Sequence, residues 1–149
     1  MLPLSPSLLP SLAAACLYAA ATFYQGSCLR QGAMANKRLL VTLGILAVLA
    51  HAASLFTHLM TPAGLELDFF SAASLIAVAV ITVTLAACAR IPGENLLLLL
   101  YPLGMLTVLL SEFAPPGTVQ VINEEPGILA HILLSILAYG MFTIAVFQA

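Results

Sequence analysis

The residues of this sequence best suited to chemistry are its three histidines, His51, His58 and His131, and all three lie inside long apolar stretches. An ionisable ring at membrane depth is costly, so it usually faces a partner, a cavity or a ligand. Imidazole is also the commonest metal-binding side chain of proteins. The three rings are therefore the candidate ligands of a metal or a metal-containing cofactor.

The composition sets the class of protein that must position these rings. Hydrophobic residues make up 62% of the 149 residues and charged residues only 7%, whereas about a quarter of a typical soluble domain is charged. A soluble fold of this size could not bury so much apolar surface. With four lysines and arginines in all, the chain has no basic patch for nucleic acid. It is predicted to be a polytopic helical membrane protein.

The predicted fold is all-α, a bundle of about five transmembrane helices in a single domain, 1–149. Connections rich in glycine, proline or charge separate the apolar stretches. Uniformly apolar segments favour helices, since the strands of a membrane barrel would alternate. The helices are predicted at 4–25, 39–60, 69–89, 96–113 and 127–148.

The charged residues predict the orientation of the helices. All four basic residues fall in the first and third connections, and only one of the six acidic residues joins them there. The positive-inside rule makes that side cytoplasmic, so the N-terminus is expected outside and the C-terminus inside. The last helix ends at Phe147-Gln148-Ala149 without a basic anchor. We therefore expect this chain to be the N-terminal part of a longer protein.

Chemistry other than that of histidine is scarce. Cys16, Cys28 and Cys88 form neither a C-x-x-C nor a C-x-x-C-H motif, so neither a redox dithiol nor covalent haem attachment is indicated. Phosphate-binding glycine loops, G-x-S-x-G and H-E-x-x-H are absent from the sequence. The residues predict no autonomous enzyme activity.

His51 and His58 share one helix face. His51 lies about 13 Å from the outer end of its helix, and His58 follows seven residues later, which turns it by only about 20°. Burying an ionisable ring costs the most free energy near the bilayer midplane, so His51 is the stronger ligand candidate. His58 can reach the headgroup region. For each, the alternative is a structural histidine bonded to a neighbouring serine or threonine.

His131 opens the last helix, in the pattern Pro126-Gly127-x-x-x-His131-x-x-x-Ser135-x-x-x-Tyr139. Proline suits a first helical turn, and the acidic residues before it suit the positive end of the helix dipole. His131 is thereby predicted about one turn inside the outer surface. The polar stripe lines either a cavity or an interface between helices.

This pattern resembles the cytochrome c assembly family (the CcsA/CcmC group), and within it the bacterial inner-membrane YpjD branch. The segments 49–55, L-A-H-A-A-S-L, and 69–75, F-F-S-A-A-S-L, resemble that branch too. The resemblance implies a multi-pass inner-membrane protein that handles haem on its way to c-type cytochromes. It also implies that histidines on different helices hold the iron, with His131 as one ligand and His51 matching a membrane-embedded histidine.

The resemblance leaves the second axial ligand open. His131 would supply one imidazole, and the other would come from His58, from His51 or from sequence beyond this chain; depth favours His58 and the resemblance favours His51. Haem, membrane lipid, apocytochrome c and other membrane assembly subunits are the expected partners, and nucleic acid is not. The rival hypothesis is a haem-free transport accessory or structural assembly subunit.

Overall fold

The computed structural model describes residues 5–61, 64–88, 92–115, 120–122 and 126–148 and confirms the all-α fold class. Five helices account for most of the described residues, and three very short strands lie in the connections. The helices are α1 (Leu8–Arg30), α2 (Lys37–Leu59), α3 (Phe69–Cys88), α4 (Glu94–Phe113) and α5 (Pro126–Gln148), and the strands are β1 (Met60–Thr61), β2 (Gly64–Leu67) and β3 (Gln120–Ile122).

Four of the helices, α1 to α4, are long and apolar enough to cross a membrane. Each has at least 20 residues, which at 1.5 Å per residue is about the thickness of the hydrocarbon core. In α5 the apolar stretch among the described residues is Ala130–Phe142, which is shorter than such a crossing. The fifth crossing and the sidedness of the chain stay predictions.

The first four helices pack as a ring, which we call the four-helix unit. Helix α1 contacts α2 and α4, α3 contacts the same two helices, and α5 packs on α3. The hydrophobic effect does not drive helices together inside a membrane, so close packing and hydrogen bonds hold them in contact. The largest fully buried side chains all lie in the four-helix unit: Tyr18, Leu40, His51, Ile81, Leu97, Leu100, Tyr101 and Val108.

Two glycines allow the close approach of helices in this unit. A Cβ atom on Gly44 would overlap the Tyr101 hydroxyl, and one on Gly104 would lie 2.6 Å from Ile81 Cδ1. The space left at Gly44 lets the Tyr101 hydroxyl donate to the Leu40 carbonyl of α2 at 3.0 Å. These glycines are therefore packing positions, not breaks in the helices.

Helix α1 extends five residues beyond the predicted end, to Arg30. Gly26 does not stop it, since a single glycine costs a helix only about 1 kcal/mol. Termination comes at Gly32, whose φ of 68° is left-handed, while Ala33 N–H donates to Cys28 O at 2.9 Å. Asn36 Oδ1 then caps α2 by accepting from Arg38 N–H at 3.0 Å.

The connections at the two ends of the bundle differ. The basic end holds the α1–α2 and α3–α4 connections, with Arg30, Lys37 and Arg38. The acidic end, with Glu66, Asp68 and Glu112, holds the α2–α3 and α4–α5 connections, where β1, β2 and β3 form an antiparallel sheet in that order. Met60 pairs with Leu65, and Glu66 with Val121. This sheet, which joins the two connections beside the start of α5, was not expected from the sequence.

Candidate histidine site

His51 lies at the centre of the four-helix unit and is fully buried. Its Nε2 atom is 2.7 Å from Ser74 Oγ of α3, and its Nδ1 atom is 3.3 Å from the Tyr18 hydroxyl of α1. The Tyr18 ring also meets the imidazole edge-on, with the ring centroids 5.9 Å apart. A neutral imidazole has one donor and one acceptor nitrogen. Both are used here, so His51 joins three helices.

Helical periodicity positions these partners. The buried residues of α2 recur every three or four positions, which puts His51 and Ser54 on the face that meets α1 and α3. The buried residues of α2 are Leu40, Gly44, Ala47, His51, Ser54, Leu55 and Leu59. On α3, Ser71 and Ser74 recur on the buried face, and on α1 Ala14, Tyr18 and Ala21 do so. Small residues on these faces let the polar side chains reach across.

A second polar cluster lies at the acidic end of the same unit. Glu112 of α4 accepts from Ser5 Oγ at 2.6 Å and from Ser11 Oγ at 2.9 Å. Ser11 Oγ is also 2.5 Å from Ser54 Oγ of α2. The Glu112 carboxylate therefore ties the start of α1 to the end of α4, and Ser11 extends the tie to α2.

His58 is half-buried in the last turn of α2. It lies close enough to Glu112 for an electrostatic interaction. His58 thus borders the polar cluster at the acidic end, whereas His51 belongs to the interior. The structure separates the environments of the two rings although they share a helix.

His131 has the opposite environment to His51. Its side chain is exposed on α5, Ser135 one turn later is half-buried, and Tyr139 is exposed. The side of α5 that meets α3 includes Gly140, where a Cβ would lie 3.4 Å from Val80 Cγ2, an ordinary contact. The acidic residues Glu124 and Glu125 lie outside the described residues.

The three rings differ in their readiness to bind haem iron. An axial bond uses a ring nitrogen lone pair, and at His51 both nitrogens already face protein hydroxyls. At His131 the exposed ring is open to a ligand. Within the described ranges, no group of three or more His, Cys, Asp and Glu side chains could hold a metal ion. Of the three rings, only that of His131 is exposed.

Two partners of the site were missed by the sequence analysis, Tyr18 and Ser74. Tyr18 is a polar aromatic residue in the alanine-rich part of α1. That contrast is the sequence signal of a helix contact at this position. Ser54 and Ser74 occupy the same place in two copies of A-A-S-L, at 52–55 and 72–75, and both are buried and hydrogen-bonded. The repeated motif is thus the sequence signal of the helix contacts around His51.

Comparisons with known proteins match most of this chain. A family described as Cytochrome C assembly protein matches residues 39–149, which include all three rings. The chain is also similar to the inner membrane protein YpjD of Escherichia coli strain K12, and to those of the O6:H1 and O157:H7 strains. Each is 26% identical over 115 residues, which cover 76% of this chain and 44% of the relative.

This chain therefore spans less than half the length of the curated relatives that it matches. No solved structure matches it at a significant level.

Proposed function

The chain belongs to the cytochrome c assembly protein family, and on that premise we propose that it handles haem in the bacterial inner membrane, with His131 as a ligand of the haem iron. The matched residues, 39–149, contain the helix that carries His131. The relatives of known location are inner membrane proteins by name. Haem would be the cargo of the protein.

The exposure of His131 carries this proposal. Its imidazole lies on a face of α5 that α3 does not cover, and Ile128 and Leu134, one turn away on either side, are exposed apolar side chains. A porphyrin needs a mostly apolar surface with a few well-placed polar groups. Haem held there would supply iron for an axial bond, and the chain would supply the imidazole and the apolar contact.

The second axial ligand stays open between His58, His51 and a residue outside this sequence. His58 is half-buried at the acidic end, near Glu112. His51 would lose its hydrogen bond to Tyr18 or to Ser74, and the 3.3 Å contact with Tyr18 is the weaker of the two. Apocytochrome c and other membrane assembly subunits are the partners that this function implies.

Optical titration with haem tests the proposal. The detergent-purified chain should give the spectrum of bound haem in oxidised and reduced forms, with His131→Ala weakening binding at least tenfold. Ser135→Ala, one turn further along α5, is the matched control and should bind like the parent. With two imidazole ligands the bound iron should be low-spin. If His58→Ala or His51→Ala still binds haem but loses the low-spin spectrum, the replaced histidine is the second ligand. Equal titrations of the parent and His131→Ala would refute the proposal.

A haem-free structural or transport-accessory subunit is the second candidate. The hydrogen bonding of His51 favours it, because Tyr18 and Ser74 account for the buried ring without a ligand. The same titration separates the candidates, since a haem-free subunit would bind no stoichiometric haem in any variant.

A further inference from the structure

A cavity of about 640 Å³ lies at the basic end of the bundle, away from the histidines. We call it the Lys37 cavity. Its volume is within the usual range for small-molecule sites, about 300–1,000 Å³. It lies between the end of α1, the α1–α2 connection and the start of α4, and both polar and aliphatic residues line it, including Gln25, Leu29, Met34, Lys37, Glu94 and Leu98.

Gln25 lines this cavity, and its side chain carries a hydrogen-bond acceptor without a partner among the described residues. Its side chain is only 5% exposed, and its Nε2 donates to the Glu94 carbonyl oxygen at 2.7 Å. That bond fixes the orientation of the amide. The other amide atom, Oε1, is buried and finds no donor among the described residues. A buried carbonyl oxygen without a donor is unfavourable, so an N–H or O–H donor from a ligand is expected here.

The charged lining of the cavity is balanced. Lys37 Nζ lies 2.6 Å from Glu94 Oε1, and both side chains are partly exposed. The ammonium of Lys37 has further N–H groups to offer to an anion, and the carboxylate has a second oxygen to offer to a cation. A pair of opposite charges beside a neutral acceptor complements a zwitterion better than a ligand of net charge.

We propose that the Lys37 cavity binds the headgroup of phosphatidylethanolamine. The headgroup ammonium donates to Gln25 Oε1 and to the Glu94 carboxylate, and the phosphate accepts from Lys37. The aliphatic lining, Leu29, Met34 and Leu98, suits the glycerol and the first carbons of the acyl chains. The cavity lies at the ends of membrane-crossing helices, where lipid headgroups are found.

Headgroup exchange tests the proposal, because phosphatidylcholine has the same charge but a trimethylated ammonium without N–H donors. Native mass spectrometry of the delipidated chain, titrated with lipids of matched acyl chains, should show phosphatidylethanolamine binding at least tenfold tighter than phosphatidylcholine. The preference should be lost in Gln25→Leu and in Lys37→Gln. Lys37→Gln leaves the Gln25–Glu94 hydrogen bond intact, so it reports on binding if Gln25→Leu misfolds.

Arg38→Gln is the matched control. Arg38 is exposed next to Lys37 but does not line the cavity, so its variant should keep the tenfold preference. Equal binding of the two lipids would overturn the proposal and leave water as the donor to Gln25. Binding of phosphatidylglycerol as tight as that of phosphatidylethanolamine would also overturn it. So would an equal loss in Arg38→Gln, because attraction by general positive charge would then suffice.

Discussion

His51 and His131 lie in apolar helices of one chain, yet the protein surrounds them in opposite ways. In the four-helix unit, His51 is fully buried and bonded to α1 and α3. On α5, whose main packing is on α3, His131 is exposed. The same residue type therefore lies in two environments. The interior ring bonds to two neighbouring helices, and the exposed ring is the one that we propose as a ligand of haem iron.

The comparison shows why depth in an apolar segment does not by itself identify a cofactor ligand. A polar ring in a membrane helix must satisfy its nitrogens, and neighbouring hydroxyls do this as well as a metal does. Whether such a ring binds a cofactor or only other side chains depends on its partners on adjacent helices. For His51 those partners are Tyr18 and Ser74, whereas the side chain of His131 on α5 is exposed.

Replacing the buried ring should have the largest effect. His51→Ala removes two interhelical hydrogen bonds and opens a cavity between α1, α2 and α3, so we expect a loss of about 2–4 kcal/mol in the free energy of unfolding. His131→Ala removes an exposed ring and should change it by less than about 0.5 kcal/mol. Unfolding of both variants in mixed micelles by added denaturing detergent measures the difference.

A conservative variant separates hydrogen bonding from packing at His51. A glutamine places a nitrogen near the position of Nε2, so His51→Gln should keep the bond to Ser74 and recover part of the lost stability. Equal stability of His51→Ala and His131→Ala would contradict the contrast between the two regions.

Glycine substitutions extend the same comparison to the backbone, with a smaller effect. Gly44→Ala puts a methyl group into the space of the Tyr101 hydroxyl and should cost about 1–3 kcal/mol. Gly140→Ala on α5 meets Val80 at an ordinary distance, and alanine is the better helix former, so it should be neutral or stabilising by up to about 1 kcal/mol. Thermal unfolding in one detergent would check both, and a harmless Gly44→Ala would refute the close packing of α2 on α4.

Much of the fold could be predicted from the sequence because the apolar stretches are long and their ends are marked. The start of α3 at Phe69 and the end of α4 at Phe113 were predicted to the residue. The end of α1 was not, because Gly26 looks like a break and the actual stop depends on the conformation of Gly32. The small sheet was missed because its strands have two to four residues, too few for a periodic pattern.

The candidate site was only partly predictable. The histidines stand out in an apolar sequence, and the bonding of His51 to a serine was foreseen as the structural alternative to a ligand. The identity of the serine was not, since nothing in the sequence distinguishes Ser54 on the same helix from Ser74 on α3 as the partner. Choosing between them requires the relative rotation of α2 and α3, which depends on packing across the interface and leaves no trace in the periodicity of either helix alone.

The smallest expected effects resolve which hydrogen bond of His51 matters more. Ser74→Ala removes the 2.7 Å contact and Tyr18→Phe the 3.3 Å contact, and each leaves the remaining side chain in place. Hydrogen bonds between membrane helices contribute about 0.6 kcal/mol on average and up to about 1.7 kcal/mol. The contribution of the shorter bond should lie at the upper end of this range and that of the longer bond below the average.

Thr57→Ala is the control, because its hydroxyl bonds only carbonyls of its own helix among the described residues, and it should change the unfolding free energy least. A double-mutant cycle of Ser74→Ala with His51→Ala should give a coupling of about 1 kcal/mol; additive losses would mean that the two side chains pack together without a hydrogen bond that stabilises the fold.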